Sequence, residues 1–314
     1  MNRFSMLLLF SGNSNKPLAE SIAKELGMTL GERTLQTFND GEIQCEITQN
    51  VRDADVYIIQ STSFPVNEHI MELLVLTDAL RRASARRITA VIPYYGYARQ
   101  DRKDKQRVPI TASLVAKLIE ASGIDRVLTV HLHSAQIQGF FDIPMDHLYT
   151  SDVLLSVLQG LDTEFTVVSA DAGGVKRSRV FAQLLNNAPL AIIDKRRDGP
   201  GSSEVMNIMG DVEGKDCLIT EDMIDTGGTL IKATEALSKA GAKSIYVCCT
   251  HAVLSNGAAQ KLQDSPITKI IITDSIHHEE SSLPSKFQVV SLASLLSSAI
   301  KSVNDGSTIS GLFE

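Results

Sequence analysis

The chain has 314 residues, 43% hydrophobic and 21% charged, which suits two ordinary α/β domains or one large one with a proper core. No apolar run approaches the length of a membrane span, so no membrane partner is expected. The formal net charge of -7 speaks against a nucleic-acid groove, although local clusters of Lys and Arg can still bind small polyanions.

The first apolar run, Met6–Phe10, is short and leads straight into a polar loop. It reads as a strand and not as a targeting segment, which makes a cytoplasmic location the default expectation. Similar runs recur at Val56–Gln60, Ile88–Ile92, Val127–Val130, Thr166–Ser169, Ala191–Ile193, Cys217–Thr220, Ile245–Cys249 and Lys269–Thr273. Helices are predicted over Pro17–Leu26, Asn67–Ala83, Ile110–Ser122, Val175–Leu185 and Thr229–Ala240. Short apolar strands separated by such helices predict parallel sheets covered on both faces. An internal repeat supports two domains. ALRRASARRITAV at Ala79–Val91 and ALSKAGAKSIYVC at Ala236–Cys248 share Ala, Leu, Ala, Ala and Ile at identical offsets, and each reads as helix end, turn and strand. The boundary is expected near Tyr149, before a helix Ser151–Leu158, giving domains 1–148 and 149–314. Cys45, Cys217, Cys248 and Cys249 form no CxxC pair and read as free thiols in a reducing compartment.

The strongest local signal starts at Cys217: CLITEDMIDTGGTLIKATEAL. A buried strand is followed by Glu221 and Asp222, then by the loop Asp225, Thr226, Gly227, Gly228, Thr229, then by a helix. Unpaired N–H groups of such a loop and first turn favour an anion, and the two glycines let the backbone approach a phosphate. Thr226 and Thr229 add hydroxyl donors, and the carboxylates can accept from vicinal sugar hydroxyls. Together these fit a ribose phosphate. The plainer alternative is an Asp-Thr helix cap with acids on a solvated loop. Neither a Walker A loop nor GxGxxG is present; GDVEGK at Gly210–Lys215 has one residue too few between its glycines.

Two basic clusters follow strands: YARQDRKDKQR at Tyr97–Arg107 and DKRR at Asp194–Arg197, the latter running into DGPGSSE. Strand C-terminal ends are where open α/β sheets bind ligands, and a mobile basic loop could close over phosphates. Solvated charged loops are the alternative. In TVHLHSAQ, His131 and His133 lie two apart at a strand end and would share one face. Asp171, before Gly173 and Gly174, is a second candidate metal ligand.

At this point the chain resembles class I ribose-phosphate pyrophosphokinases over essentially its whole length. The resemblance rests on FNDGE at Phe38–Glu42, VRDADVYIIQST at Val51–Thr62 and the long stretch Met71–Lys103 ending in YARQDRK. It continues with QIQGFFDIP at Gln136–Pro144, GGV at Gly173–Val175, APLAIIDKRR at Ala188–Arg197, GDVEGKDC at Gly210–Cys217 and DMIDTGGTL at Asp222–Leu230. The fold it implies is α/β: two phosphoribosyltransferase-like domains, each a mainly parallel sheet flanked by helices. The implied reaction is pyrophosphoryl transfer from ATP to ribose 5-phosphate, with Mg2+ as cofactor and a homo-oligomer, a hexamer, as assembly.

The same resemblance implies ATP contacts from Phe38, Asp40, Gly41, Glu42, Arg99, Gln100 and Asp101. It implies metal contacts from His133 and Asp171, and ribose 5-phosphate contacts from Arg197, Glu221, Asp222, Asp225, Thr226, Gly227, Gly228 and Thr229. Lys195 and Arg197 would be the catalytic pair. Arg52, Arg82, Ser307 and Ser310 match positions near a site for regulation by phosphate and ADP. Three features depart from the family pattern: His131 where Asp is usual, Glu221 where Asp is usual, and a loop after Arg99 about one residue short. Two rivals share parts of this pattern. A phosphoribosyltransferase would need the Asp225–Thr229 loop but neither FNDGE nor ARQDRK. A non-catalytic regulatory homologue would be expected to lose the catalytic pair, and both of its residues are present.

Overall fold

The computed structural model describes residues 6–197, 204–309 and 311, without the side chains of 195–197, 204–206 and 280. The chain divides into two compact units. One holds Met1–Tyr149, Ser275–His277 and Ser291–Glu314, the other Thr150–Asp274 and His278–Val290.

In the first unit, apolar runs form β1 (Leu7–Ser11), β4 (Asp55–Ile59), β5 (Arg87–Ile92) and β6 (Arg126–Val130), joined by the edge strand β7 (Met145–Leu148). The sheet order is β1-β4-β5-β6-β7 and every pairing is parallel. Helices α1 (Lys16–Glu25), α2 (Val66–Arg82) and α3 (Thr111–Ser122) cover it. Ile70, Leu73, Leu76 and Leu80 recur at helical spacing on α2 and pack with Val56, Ile58, Ile88 and Ala90 of the strands. Between α1 and β4 stands a separate antiparallel hairpin, β2 (Arg33–Thr37) and β3 (Ile43–Ile47). It carries too few apolar residues to be marked by an apolar run.

The second unit contains α4 (Ser151–Gln159), β8 (Phe165–Ser169), α5 (Val175–Leu184), β9 (Leu190–Arg197), β10 (Glu204–Met209) and β11 (Asp216–Ile224). It continues with α6 (Gly228–Lys239), β12 (Ser244–Ala252), α7 (Ala258–Gln263), β13 (Lys269–Thr273) and β14 (Phe287–Val290). Its sheet runs β10-β9-β8-β11-β12-β13-β14, with only β10 antiparallel to its neighbour. From β8 the chain winds outward through α5 to β9; from β11 it winds the other way through α6 to β12. The order therefore reverses between β8 and β11, a topological switch point where open α/β sheets bind ligands. In the first sheet the named strands follow chain order from β1 to β7, and a single parallel bridge joins Leu30, after α1, to Leu9 of β1.

The repeat read from the sequence is present in the backbone. At the end of α2, the Ala85 N–H reaches the Leu80 carbonyl at 3.1 Å; at the end of α6, the Ala242 N–H reaches that of Leu237 at 3.1 Å. Each turn passes through one left-handed residue, Ser84 (φ 69) and Gly241 (φ 84). This is the same helix-stopping motif, feeding β5 in one unit and β12 in the other. The strand beside each is anchored alike. Asp55 receives Arg86 at 2.6 Å, and Asp216 receives Lys243 at 2.9 Å.

The last helix, α8 (Ala293–Asp305), belongs to the first unit, where it packs against α1 and buries Leu296, Ala299 and Ile300. A single boundary near Tyr149 had assigned that segment to the second domain.

Candidate active site

The switch point of the second unit gathers most of the residues that the sequence predicts for the sugar phosphate. β11 is longer than its apolar run, extending through Glu221 and Asp222 to Ile224, because β12 continues beside it in register (Glu221↔Cys249, Met223↔His251). The two carboxylates are thus strand residues. Asp225 and Thr226 follow, and α6 starts at Gly228 with Gly227 as its cap. Gly227 has φ 74 and ψ -5, a left-handed conformation that L side chains rarely adopt. Gly227 itself has no side chain with which to cap this helix. The first turn of α6, with the dipole behind it, opens onto the loop. Thr226, Gly228 and Thr229 are exposed, and Ser255, in the loop after β12, donates to Asp225 Oδ1.

Beside this loop, β8 ends at Ser169 and Asp171 follows in the turn into α5. Asp171 Oδ1 accepts from the Gly174 N–H at 2.9 Å. One turn into α5, Arg177 donates from Nη2 to Glu221 Oε2 at 2.8 Å and from Nη1 to Asp222 Oδ1 at 2.9 Å. Its Nε donates to the Thr220 carbonyl at 3.2 Å. Sequence reasoning passed over Arg177 and Ser255, since neither stands in a motif. Behind the carboxylates, burial pushes the Cys249 thiol well up, the Asp222 and Glu221 charges add to this, and Arg177 opposes it. Cys249 is therefore a neutral core thiol and not a nucleophile.

Lys195 and Arg197 are residues of β9, which is paired antiparallel with β10 (Lys195↔Met206, Arg197↔Glu204). The expectation of a loop beginning after Ile193 is corrected: the basic cluster rides on a two-stranded arm. Charged residues ended the apolar run, yet an arm that continues an edge of the sheet needs no continuous core face. The side chains of residues 195–197, and the backbone of residues 198–203, lie outside the described residues.

In the first unit, Phe38, Asp40, Gly41 and Glu42 form the exposed tip of the β2–β3 hairpin. The Phe38 N–H reaches the Glu42 carbonyl at 2.7 Å, and Asp40 Oδ1 accepts from the Glu42 N–H at 3.1 Å. Arg99, Gln100 and Asp101 lie on a different loop, between β5 and α3. That loop is held by the Gln100 carbonyl, which accepts from the Ala112 N–H at 3.2 Å, and by Gln136, which donates to Asp101 at 3.2 Å.

His131 and His133 do not share a strand face. β6 stops at Val130, and His131 takes a left-handed φ of 42 with its ring edge-on to Tyr149, the centroids 6.1 Å apart. Strand alternation ends where extended backbone ends. Leu132 is buried, its N–H held by His147 Nε2 at 2.8 Å, while His133 is exposed.

The loop after Arg52 and the turn after Arg82 are joined by the Asp53 N–H, which donates to the Ser84 carbonyl at 3.0 Å. Arg82 is exposed and held by Asp78 at 2.7 Å, which raises its pKa above the ordinary arginine value. Ser307 sits just past α8, its N–H on the Ser302 carbonyl at 2.9 Å, and Ser310 lies outside the described residues.

Among known proteins, the family model for the N-terminal domain of ribose phosphate pyrophosphokinase matches residues 7–123, and the phosphoribosyl synthetase-associated domain matches residues 199–314. Ribose-phosphate pyrophosphokinase 1 of Listeria innocua is 52% identical over 310 residues, spanning 98% of this chain and 97% of its own. The ribose-phosphate pyrophosphokinase of Agrobacterium fabrum is 53% identical over 309 residues, spanning 98% and 99%. The crystal structure of phosphoribosylpyrophosphate synthetase from Mycobacterium smegmatis superposes with a TM-score of 0.91 at 40% identity, covering 96% of this chain and all of that one. Agreement that runs almost end to end, in sequence and in backbone, makes this chain a member of the ribose-phosphate pyrophosphokinase family.

Proposed function

We infer that the chain carries out its family's reaction as a ribose-phosphate diphosphokinase: the anomeric hydroxyl of ribose 5-phosphate attacks the β-phosphorus of ATP, AMP leaves, and phosphoribosyl pyrophosphate forms. The observation that carries the sugar-phosphate half is the N-terminus of α6, entered through the left-handed Gly227 at the switch point, with a pair of carboxylates one strand end away. The phosphate of ribose 5-phosphate sits on the N–H groups and hydroxyls of Asp225–Thr229, and Glu221 and Asp222 accept from the sugar hydroxyls. ATP is held by Phe38, Asp40, Gly41, Glu42, Arg99, Gln100 and Asp101. Such a reaction asks little covalent chemistry of the protein. In-line positioning and neutralisation of phosphate charge are what it supplies, and Lys195 and Arg197 provide the latter.

The donor chemistry of Asp171 fits Mg2+, which prefers oxygen and is usually held by one or two carboxylates together with substrate phosphates. Asp171 is the ligand its oxygens support, with His133 second because a nitrogen donor is atypical for this ion. When bound, Mg2+ supplies charge neutralisation and orientation of the phosphates. No described helix is long and apolar enough to cross a membrane, and a cytoplasmic location is part of the proposal. So are a homo-hexamer and regulation by phosphate and ADP through Arg52, Arg82, Ser307 and Ser310.

Release of AMP that requires ATP and ribose 5-phosphate together tests this reading. AMP without the sugar phosphate, or none with both substrates and Mg2+ present, would overturn it. Consumption of phosphoribosyl pyrophosphate with a nucleobase would instead indicate a phosphoribosyltransferase.

A further inference from the structure

Neighbouring residues on a strand point to opposite faces, so two adjacent carboxylates do not present themselves to one sugar without help. On β11, Glu221 and Asp222 are such a pair, and one guanidinium reaches both, Nη2 to Glu221 Oε2 at 2.8 Å and Nη1 to Asp222 Oδ1 at 2.9 Å. The fork is itself fixed. Arg177 Nε donates to the Thr220 carbonyl at 3.2 Å, and the next residue of α5, the fully buried Ser178, bonds the Thr220 hydroxyl at 3.0 Å. The pairing of β11 with β8 ends at Ile219↔Val168, so beyond that point α5 and not a strand adjoins this side of β11. The Arg177, Glu221 and Asp222 side chains are 21%, 17% and 11% exposed, shielded enough for charge-assisted bonds to fix rotamers.

We propose that Arg177 is a positioning residue for the sugar: it locks the side chains of Glu221 and Asp222 so that both accept from the vicinal hydroxyls of ribose 5-phosphate, and it thereby sets the preference for ribose over 2-deoxyribose. The inference rests on the reading that these two carboxylates bind the sugar. Arg177 donates to Glu221 Oε2 and to Asp222 Oδ1, so the rotamers of both carboxylates are set by one guanidinium. A planar fork fixes the directions of its donors to two carboxylates, whereas an ammonium is a compact charge with three rotatable donors that orients them less strictly. The turn just before α5 carries Asp171, so this segment supplies a candidate metal ligand and the clamp on the sugar site together.

The test compares wild type with Arg177→Lys and Arg177→Met, and with Glu221→Gln and Asp222→Asn as references. Steady-state kinetics are run with ribose 5-phosphate and with 2-deoxyribose 5-phosphate, alongside KM for ATP and thermal unfolding. Arg177→Lys is expected to fold like wild type, to raise KM for ribose 5-phosphate about tenfold with KM for ATP within about twofold, and to cut the ribose preference about tenfold. Arg177→Met is expected to lose more of the preference. If Arg177→Met does not fold, Arg177→Lys decides. An unchanged ratio of kcat/KM for the two sugars in Arg177→Lys overturns the proposal even if overall activity falls, since a merely structural arginine would lower both sugars alike. If Glu221→Gln and Asp222→Asn leave KM for ribose 5-phosphate unchanged, the sugar site itself has been misread, and that result is distinct from failure of the arginine.

Discussion

Asp225 and Lys195 are expected to fail in opposite ways when replaced. Asp225 is tied to Ser255 inside the proposed phosphate loop, so Asp225→Ala is expected to loosen the loop before any chemistry occurs. Thr229→Val keeps the shape and removes a hydroxyl on the exposed first turn of α6. Both variants should raise KM for ribose 5-phosphate by about tenfold and leave KM for ATP within about twofold. Titrating each substrate at saturating levels of the other checks this, and an equal loss of both affinities would point to misfolding. Lys195→Ala should instead lower kcat by roughly 10²–10³-fold with ATP binding intact, because its charge acts on phosphate oxygens in transit. A near-normal kcat would remove Lys195 from the mechanism. Glu221 shows how a departure from the family's residue is absorbed. Arg177 reaches Glu221 and Asp222 at nearly equal distances, so the extra methylene is taken up within one fork.

Among the elements, the two helix-stopping turns provide a matched pair. They share their hydrogen bonds and their left-handed backbone, but one carries Ser84 and the other Gly241. A Cβ in that region costs about 1–2 kcal/mol, and a glycine's extra freedom in the unfolded chain offsets part of any gain. Ser84→Gly should therefore stabilise the first unit by about 0.5 kcal/mol. Gly241→Ala should destabilise the second by about 1 kcal/mol, with the new Cβ 3.2 Å from Glu213 Cγ. Urea unfolding midpoints read both, and shifts of the same sign would contradict the shared-turn account. The strands that the apolar pattern passed over have a common trait. β7, β10 and β14 are sheet edges, and β2 and β3 form a separate hairpin. A strand with one neighbour need not be apolar throughout, so no continuous run marks it.

For the whole chain, the return of α8 to the first unit means that the linear order of the sequence is not the order of the cores. Leu18, Ala19, Ile22 and Ala23 are the buried face of α1, and α8 packs on that helix. Removing residues 291–314 should lower the unfolding temperature of the first unit by several degrees. Full burial of a Leu or Ile is worth about 1.5–3 kcal/mol, and both Leu296 and Ile300 are lost. Differential scanning calorimetry resolves the outcome, since the transition of the second unit should stay in place. An unmoved first transition would show that α8 is a passive tail.

The sequence by itself determined the buried elements and the strand–glycine turn–helix at Asp225–Thr229, for a local reason. A central parallel strand is covered on both faces and must be apolar along its length, as Cys217–Ile219 and Ile270–Ile272 are. The loop Asp225–Thr229 carries its two glycines, its hydroxyls and its helix start within five consecutive positions. Tertiary structure alone decided what joins distant positions. It ended β6 before His131, carried β9 and β11 past their apolar cores by pairing them with neighbours, and brought α8 back to α1. Above all it set Arg177 against carboxylates 44 and 45 residues further along the chain. Hydrophobic period and turn chemistry act over one element, whereas an ion pair of that span exists only once β8, α5 and β11 have packed.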